Sequence, residues 1–408
     1  MAVRTESVNF TGALGDTLAA RIDRPLGPIR GFALFAHCFT CSKDLAAARR
    51  IAAGLAERGI AVLRFDFTGL GHSDGEFANT TFASNIEDLV AAADWLRVEH
   101  RAPTILVGHS LGGAAVLAAA ERIPEVMGVA TIGAPADPAH VVHNFGSRIA
   151  DIERDGEAEV ELAGRRFRVR KAFLDTLRDH GLEDIVGRLR RDLMIFHAPL
   201  DQTVGIDNAT RLFVAAKHPK SFVSLDRADH LLTRPEDAAY VAAMLSGWAE
   251  RFLPTLVPAE VATAEGEVAV VDAGEGTFPQ WVIAAGHRLR ADEPSAVGGT
   301  DSGPAPYDLL LAALGACTNM TLKMYAGRKG WRLDRLETRL RHDRVHAEDC
   351  IDCETREGMV DRIERHITIE GPLDQQQRSK LIEIADKCPV HRTLHGPISI
   401  VTRSGTGG

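Results

Sequence analysis

The sequence predicts an α/β protein: a doubly wound, mostly parallel sheet over about residues 1–252, then a smaller domain of strands around one buried helix over 262–408, joined by a connector at 253–261. Three observations predict it. Short apolar runs alternate with helical patterns through the first half, as in sheets whose crossovers are helices. At 408 residues the chain exceeds what one core usually organises. Beyond Pro254 and Pro258 the alternation stops and a different pattern begins.

In chain order, strands are expected at 31–36, 60–65, 104–107, 128–132, 193–197 and 221–225, each a β-branched or apolar run. Helical periodicity falls between them at 45–58, 83–99, 111–122, 207–217 and 235–252. Hydrophobic residues make up 45% and charged residues 25% of the chain, ordinary for a globular protein. A net charge of −9 argues against nucleic acid as a partner. No stretch reads as the ~20 apolar residues of a membrane span, so no membrane partner is expected. The N-terminus lacks the basic and apolar segments of a signal peptide, which points to the cytoplasm. The six cysteines should then be mostly reduced, and any disulfide among them catalytic rather than structural.

Gly108-His109-Ser110-Leu111-Gly112 follows the four-residue run Thr104-Ile-Leu-Val and opens the alanine-rich helix. A strand turning sharply into a helix around a glycine-flanked serine is a nucleophile elbow. The helix N-terminus, beginning with the Leu111 N–H, then faces the reacting centre and can hold an oxyanion. Ser110 needs a base, and the base an orienting acid. Asp201 follows the run 193–197 and His230 the run 221–225; Asp137 and Asp207 are rival acids.

The second oxyanion donor is expected in His37-Cys38-Phe39-Thr40-Cys41-Ser42, as the Phe39 N–H. With this loop, the elbow and the order serine, acid, histidine, the first 250 residues closely resemble the α/β-hydrolase family. That family usually has His-Gly where this chain has His37-Cys38, and cysteine tolerates a positive φ poorly. Cys38 and Cys41 read as two small buried residues, as a redox-sensitive thiol at the hole, or as a metal pair. The resemblance implies a small cap at about 138–191, over an acyl pocket. Within it, a hairpin turning at Ala163-Gly164 sets Glu161, Glu159 and Glu157 opposite Arg166, Arg168 and Arg170, and Val160 and Ala158 opposite Phe167 and Val169. His140 and His143 read as surface residues.

In the second half, strands are expected at 268–271 and 280–284, then a helix from Tyr307 to Ala326 that is apolar nearly all round. Such a helix belongs at the centre of its domain or at a subunit interface. It carries Cys317, while Cys388 precedes a proline in Lys387-Cys-Pro-Val-His-Arg392. These two segments, with Gly303-Pro-Ala-Pro-Tyr-Asp leading into the first, resemble the OsmC/Ohr family of thiol-dependent hydroperoxide reductases, an α+β fold, over about 262–404. The resemblance implies that Cys317 attacks an organic hydroperoxide, that Cys388 resolves the sulfenic acid, and that a lipoyl-type dithiol reopens the disulfide. It also implies a homodimer through this domain and no bound cofactor. The family's glutamate ten residues before the cysteine is Tyr307 here, beside Asp308, and Arg288 or Arg290 is a candidate activating arginine. His342, His346, Cys350 and Cys353 have a loose metal-ligand look, but in a strand they spread too far for one ion.

The reading is a bifunctional enzyme: a serine hydrolase acting on a small-molecule ester or thioester, fused to a cysteine-based peroxide reductase. The alternatives are a thiol or dimerisation module in the second half, or a binding scaffold.

Overall fold

The computed structural model describes residues 3–38, 41–139, 145–146, 148–162, 165–178, 181–254, 261–274, 276–346 and 359–404, with backbone alone at Leu162, Arg165, Arg178 and His346. The chain divides into two compact units, Met1–Val261 and Ala262–Gly408.

The first unit runs β1 (Arg4–Thr11), β2 (Thr17–Arg24), β3 (Gly31–Ala36), α1 (Ala46–Ala56), β4 (Ile60–Phe65), α2 (Phe82–Glu99), β5 (Ile105–His109), α3 (Leu111–Ala119) and β6 (Gly128–Ile132). After α4 (Arg148–Asp155), β7 (Glu157–Leu162), β8 (Arg165–Arg170), α5 (Lys171–Arg178) and α6 (Leu182–Arg188), it closes with β9 (Asp192–His197), α7 (Asp207–Ala215), β10 (Lys220–Ser224) and α8 (Pro235–Ala249). Eight strands form one sheet in the order β1-β2-β4-β3-β5-β6-β9-β10. From β4 to β10 every neighbouring pair is parallel; β1 and β2 add an antiparallel edge. This edge pair carried no apolar run. β1 buries little beyond Phe10, because one face of an antiparallel edge is solvated.

Two cores flank the sheet. One joins side chains of α2, α3, α6 and α7, with Leu89, Leu117, Ile185 and Leu212 among them; the other joins those of α1 and α8, with Ile51, Leu55, Val241 and Leu245. Parallel strands covered on both faces are buried at every position, as β3, β4 and β6 are; in β4 the buried Arg64 is paired with Asp23.

The segment between β6 and β9 interrupts the alternation. Its β7–β8 hairpin pairs Glu157 with Arg170, Glu159 with Arg168, Val160 with Phe167 and Glu161 with Arg166, the register that the facing charges predict. The turn residues Ala163 and Gly164, and also His140 and His143, lie outside the described residues. Val160, Phe167 and Val169 enter the same core as α2, and Phe167 and Phe173 both pack against Phe77.

The second unit opens with an antiparallel sheet of β11 (Val268–Asp272), β12 (Gln280–Ala284) and β13 (His287–Ala291). Then come α9 (Pro306–Arg328), the long antiparallel pair β14 (Arg335–His346) and β15 (Met359–Glu370), α10 (Gln375–Ala385) and α11 (Pro389–His395). Here α9 departs from expectation. It buries one stripe, Leu314, Gly315, Thr318, Leu322 and Ala326, against a small core with Leu381, Ile384 and Ala385. Tyr307, Met320 and Met324 are exposed, so α9 is not buried all round within its unit. Among the described residues, the β14–β15 ribbon, α10 and α11 pack against it. By length and composition α9 is also apolar enough to cross a membrane, against the expectation that no stretch was.

Candidate functional site

β5 ends at His109 and α3 starts at Leu111, so Ser110 alone makes the turn, with φ 55°. That left-handed conformation is strained for a residue with a side chain, and it is held by the Ser110 N–H donating to the Ile132 carbonyl at 2.8 Å. The flanking glycines permit the packing. A Cβ on Gly108 would lie 2.3 Å from the Gly112 carbonyl oxygen, and one on Gly112 2.4 Å from that of His37.

Three strand ends converge on Ser110. His230, beyond β10, faces the Ser110 Oγ with its Nε2 at 3.0 Å, while its Nδ1 lies 2.7 Å from Asp201 Oδ2. Asp201, beyond β9, is buried, and its Oδ1 accepts the N–H groups of Thr203 and Val204 at 2.8 and 2.9 Å. A carboxylate only accepts, so Nδ1 donates to it and Nε2 is left to accept the serine proton. Burial pushes the Asp201 carboxyl up, but the hydrogen bond from His230 and those from the loop N–H groups together hold it below its ordinary value. The rival acids are elsewhere: Asp137 is exposed and accepts the Ala139 N–H, and Asp207 is exposed at the start of α7.

The first N–H groups of a helix have no intrahelical partner, so Leu111, at the head of α3, has its N–H free of the helix ladder beside Ser110. Phe39, the expected second donor, lies outside the described residues. Its loop is held at both ends. His37 is buried with its Nδ1 2.8 Å from the Cys38 carbonyl, and Lys43 binds the buried Asp66 through both its N–H and its Nζ, at 2.6 and 2.7 Å. Cys38 has no positive φ, so the cysteine in the family's glycine place causes no backbone strain. Cys38 and Cys41 are joined as a disulfide with their Cα atoms 5.3 Å apart, so the pair is neither two free thiols nor a metal pair here.

In the second unit, Cys388 is fully buried at the head of α11, and its Sγ accepts the His391 N–H at 3.3 Å. Thr318, the residue after the half-buried Cys317, places its Oγ1 3.7 Å from the Cys388 Sγ, so the two thiol-bearing segments are neighbours. The arginine beside them is neither of the expected ones. Arg365 on β15 donates to the Thr318 hydroxyl at 3.0 Å, to the Ala385 carbonyl at 3.2 Å and to Asp386 at 2.6 Å. Arg290 instead bonds Ser302 and lies over the Trp281 ring, and Arg288 is exposed. Tyr307 stacks on His342, and Asp308 caps α9 at the Ala305 N–H. His342 bonds Asp361; the His346 side chain, Cys350 and Cys353 lie outside the described residues.

The model of the family described as serine aminopeptidase, S33, matches residues 30–155, and that of OsmC-like protein matches 299–403. The crystal structure of the esterase domain of a Rhodothermus marinus protein is 50% identical, with a TM-score of 0.51, over 61% of this chain and 98% of that one. The chain is an α/β-hydrolase joined to an OsmC-like domain. Palmitoyl-protein thioesterase ABHD10, mitochondrial, of Rattus norvegicus is 35% identical to this chain over 106 residues, 26% of this chain and 33% of that protein. The chain thus spans about a third of the length of these curated relatives. Alpha/beta hydrolase domain-containing protein 10 from mouse, 22% identical with a TM-score of 0.50 over 60% of this chain and 99% of its own, shares the fold.

Three supporting residues of the α/β-hydrolase site carry no sequence signal that singles them out. His109 and His197 donate from Nε2 to the carbonyls of His230 and Val204, both at 2.7 Å, and so tie down the loops that present His230 and Asp201. Gly133 lies under that pair: a Cβ there would sit 3.3 Å from Asp201 Oδ2 and 3.4 Å from His230 Nδ1.

Proposed function

We propose that the first unit hydrolyses an ester or thioester through Ser110. The hydroxyl attacks the acyl carbonyl as His230 Nε2 takes its proton, and Asp201 steadies the imidazolium. The Leu111 N–H, with that of Phe39, holds the oxyanion. The proton then passes to the departing alcohol or thiol, and water releases the acyl group by the same steps. The continuous chain of hydrogen bonds from Ser110 Oγ to His230 to Asp201 carries the reading. Similarity at 50% identity to an esterase domain supports the ester class, and similarity to a palmitoyl-protein thioesterase supports the thioester. In the full chain, Ser110→Ala should lower kcat/KM on short aryl esters by at least ~10³-fold and abolish labelling by a fluorophosphonate. Unchanged turnover would show that another nucleophile acts.

The nearness of Thr318 to Cys388 favours a second reaction in the other unit. Cys317, the more exposed thiol, attacks the outer peroxide oxygen as its thiolate, releasing the alcohol and becoming a sulfenic acid. Cys388 condenses with it, losing water, and a dithiol reduces the resulting disulfide. One equivalent of organic hydroperoxide should consume both thiols and give a Cys317–Cys388 cross-link by mass spectrometry. A Cys317 driven to sulfinic acid with Cys388 still free would sink the resolving role.

A further inference from the structure

To close a disulfide, Cys388 must attack as a thiolate, and it is fully buried. We propose that Thr318 is a catalytic residue of that step. Its hydroxyl turns from the Leu314 carbonyl to the Cys388 sulfur and holds the thiolate while it attacks the Cys317 sulfenic acid. The proposal rests on the peroxide reading above and deepens it.

An anionic sulfur away from water is costly unless donors meet it. Two are at hand. The His391 N–H donates to the Cys388 Sγ at 3.3 Å, and the Thr318 Oγ1 lies 3.7 Å from the same atom. Thr318 is itself fully buried, in the stripe of α9 that meets the core. A hydroxyl has one proton and two lone pairs to place. While Cys388 is a thiol, the Thr318 proton goes to the Leu314 carbonyl at 2.8 Å, the nearer acceptor, and one lone pair takes the Arg365 N–H at 3.0 Å. The lone pair that remains is free to accept the Cys388 S–H. Once that proton has left, the charged sulfur is the stronger acceptor, and rotation about the Cβ–Oγ1 bond brings the O–H to it. The Leu314 carbonyl then keeps the helical N–H of Thr318, so the turn leaves no group unpaired.

Arg365 keeps this hydroxyl in place. Its guanidinium also donates to the Ala385 carbonyl at 3.2 Å and to Asp386 at 2.6 Å, so it stays on the Thr318 oxygen. A cationic donor on that oxygen polarises the O–H and strengthens it as a donor. Cys317 is one residue earlier on α9, turned about 100° around the helix from Thr318. The hydroxyl therefore serves the resolving thiol and not the attacking one. In the step itself the Cys388 sulfur bonds to the Cys317 sulfur and the sulfur–oxygen bond of the sulfenic acid breaks. The thiol proton and the departing hydroxide leave as water, and no further oxidant or reductant enters.

The test compares the full wild-type chain with Thr318→Val, Thr318→Ala and Thr318→Ser. Each is mixed with one equivalent of cumene hydroperoxide, quenched at intervals and alkylated. Mass spectrometry then follows two rates, the loss of the Cys317 thiol and the appearance of the Cys317–Cys388 link. The first rate should stay within about twofold of wild type in every variant, which also shows that each is folded. The second should fall about tenfold in Thr318→Val and Thr318→Ala, the size of one hydrogen bond to a charged group, and stay at the wild-type value in Thr318→Ser. With excess hydroperoxide the two slow variants should accumulate Cys317 sulfinic acid while Cys388 stays free. Linking at the wild-type rate in the valine and alanine variants overturns the proposal alone. Attack and linking slowed alike would make Thr318 a packing residue, which overturns it too. A wild-type chain whose Cys317 is not consumed, or never links to Cys388, removes it together with the peroxide reading.

Discussion

His109 stands next to the nucleophile in sequence, yet its work is done on the histidine 121 residues away. Burial first, and then the neighbouring His230, push its pKa down from 6.5 to about 4. It is neutral near pH 7 and donates from Nε2. In the unfolded chain the same ring takes up a proton near pH 6.5; in the folded chain it does not until about 4. Stability from this group is thus complete above pH 6.5 and is lost as pH falls toward 4. His37 and His197 are shifted downward for the same leading reason, burial, and add to the slope. His109→Gln, which keeps a donor but does not titrate, should flatten the fall in unfolding midpoint between pH 7 and 5 without removing it. A slope identical to wild type in urea melts at those two pH values would rule this out. In the sequence, His109 was visible only as the variable letter inside the elbow.

At the level of elements, the β7–β8 hairpin was legible to the residue, because facing charges and facing apolar side chains each demand the same register. Its energetics are unequal. Phe167 is buried against Phe77, so Phe167→Ala should cost about 3 kcal/mol and lower the melting midpoint of the first unit. Glu157→Ala removes exposed ion pairs to Arg168 and Arg170 and should cost under ~1 kcal/mol. Comparable losses for the two would mean that the charged face, not the apolar one, holds the hairpin. β1, at the edge, and β2 beside it escaped notice because strands with one more exposed face show alternation rather than an apolar run. The helix α9 misled in the opposite direction. An all-round apolar composition says that both faces seek cover, but not that one unit can supply it.

For the whole molecule, that uncovered face bears on assembly. The OsmC resemblance implies a homodimer, and α9 leaves Met320 and Met324 exposed. Sedimentation of the full chain should give twice the 44.1 kDa chain mass, and Met320→Glu/Met324→Glu should shift it toward the single chain. A wild-type protein that sediments at the chain mass at micromolar concentration would leave the apolar face to some other partner.

The division between the two halves, the elbow at Ser110 and the order Ser110, Asp201, His230 were all readable in the sequence. Each depends on residues within a few positions: a periodicity, a glycine spacing, a residue just past a strand. The tertiary structure decided what meets across long separations. It brought His109 to His230, Arg365 rather than Arg290 to the thiols, and Gly133 beneath the Asp201–His230 pair. It also decided that Cys38 and Cys41 are joined, and that α9 buries only one stripe. Such contacts follow from sheet order and from how much surface the neighbouring elements can cover, and no local pattern of residues carries that information.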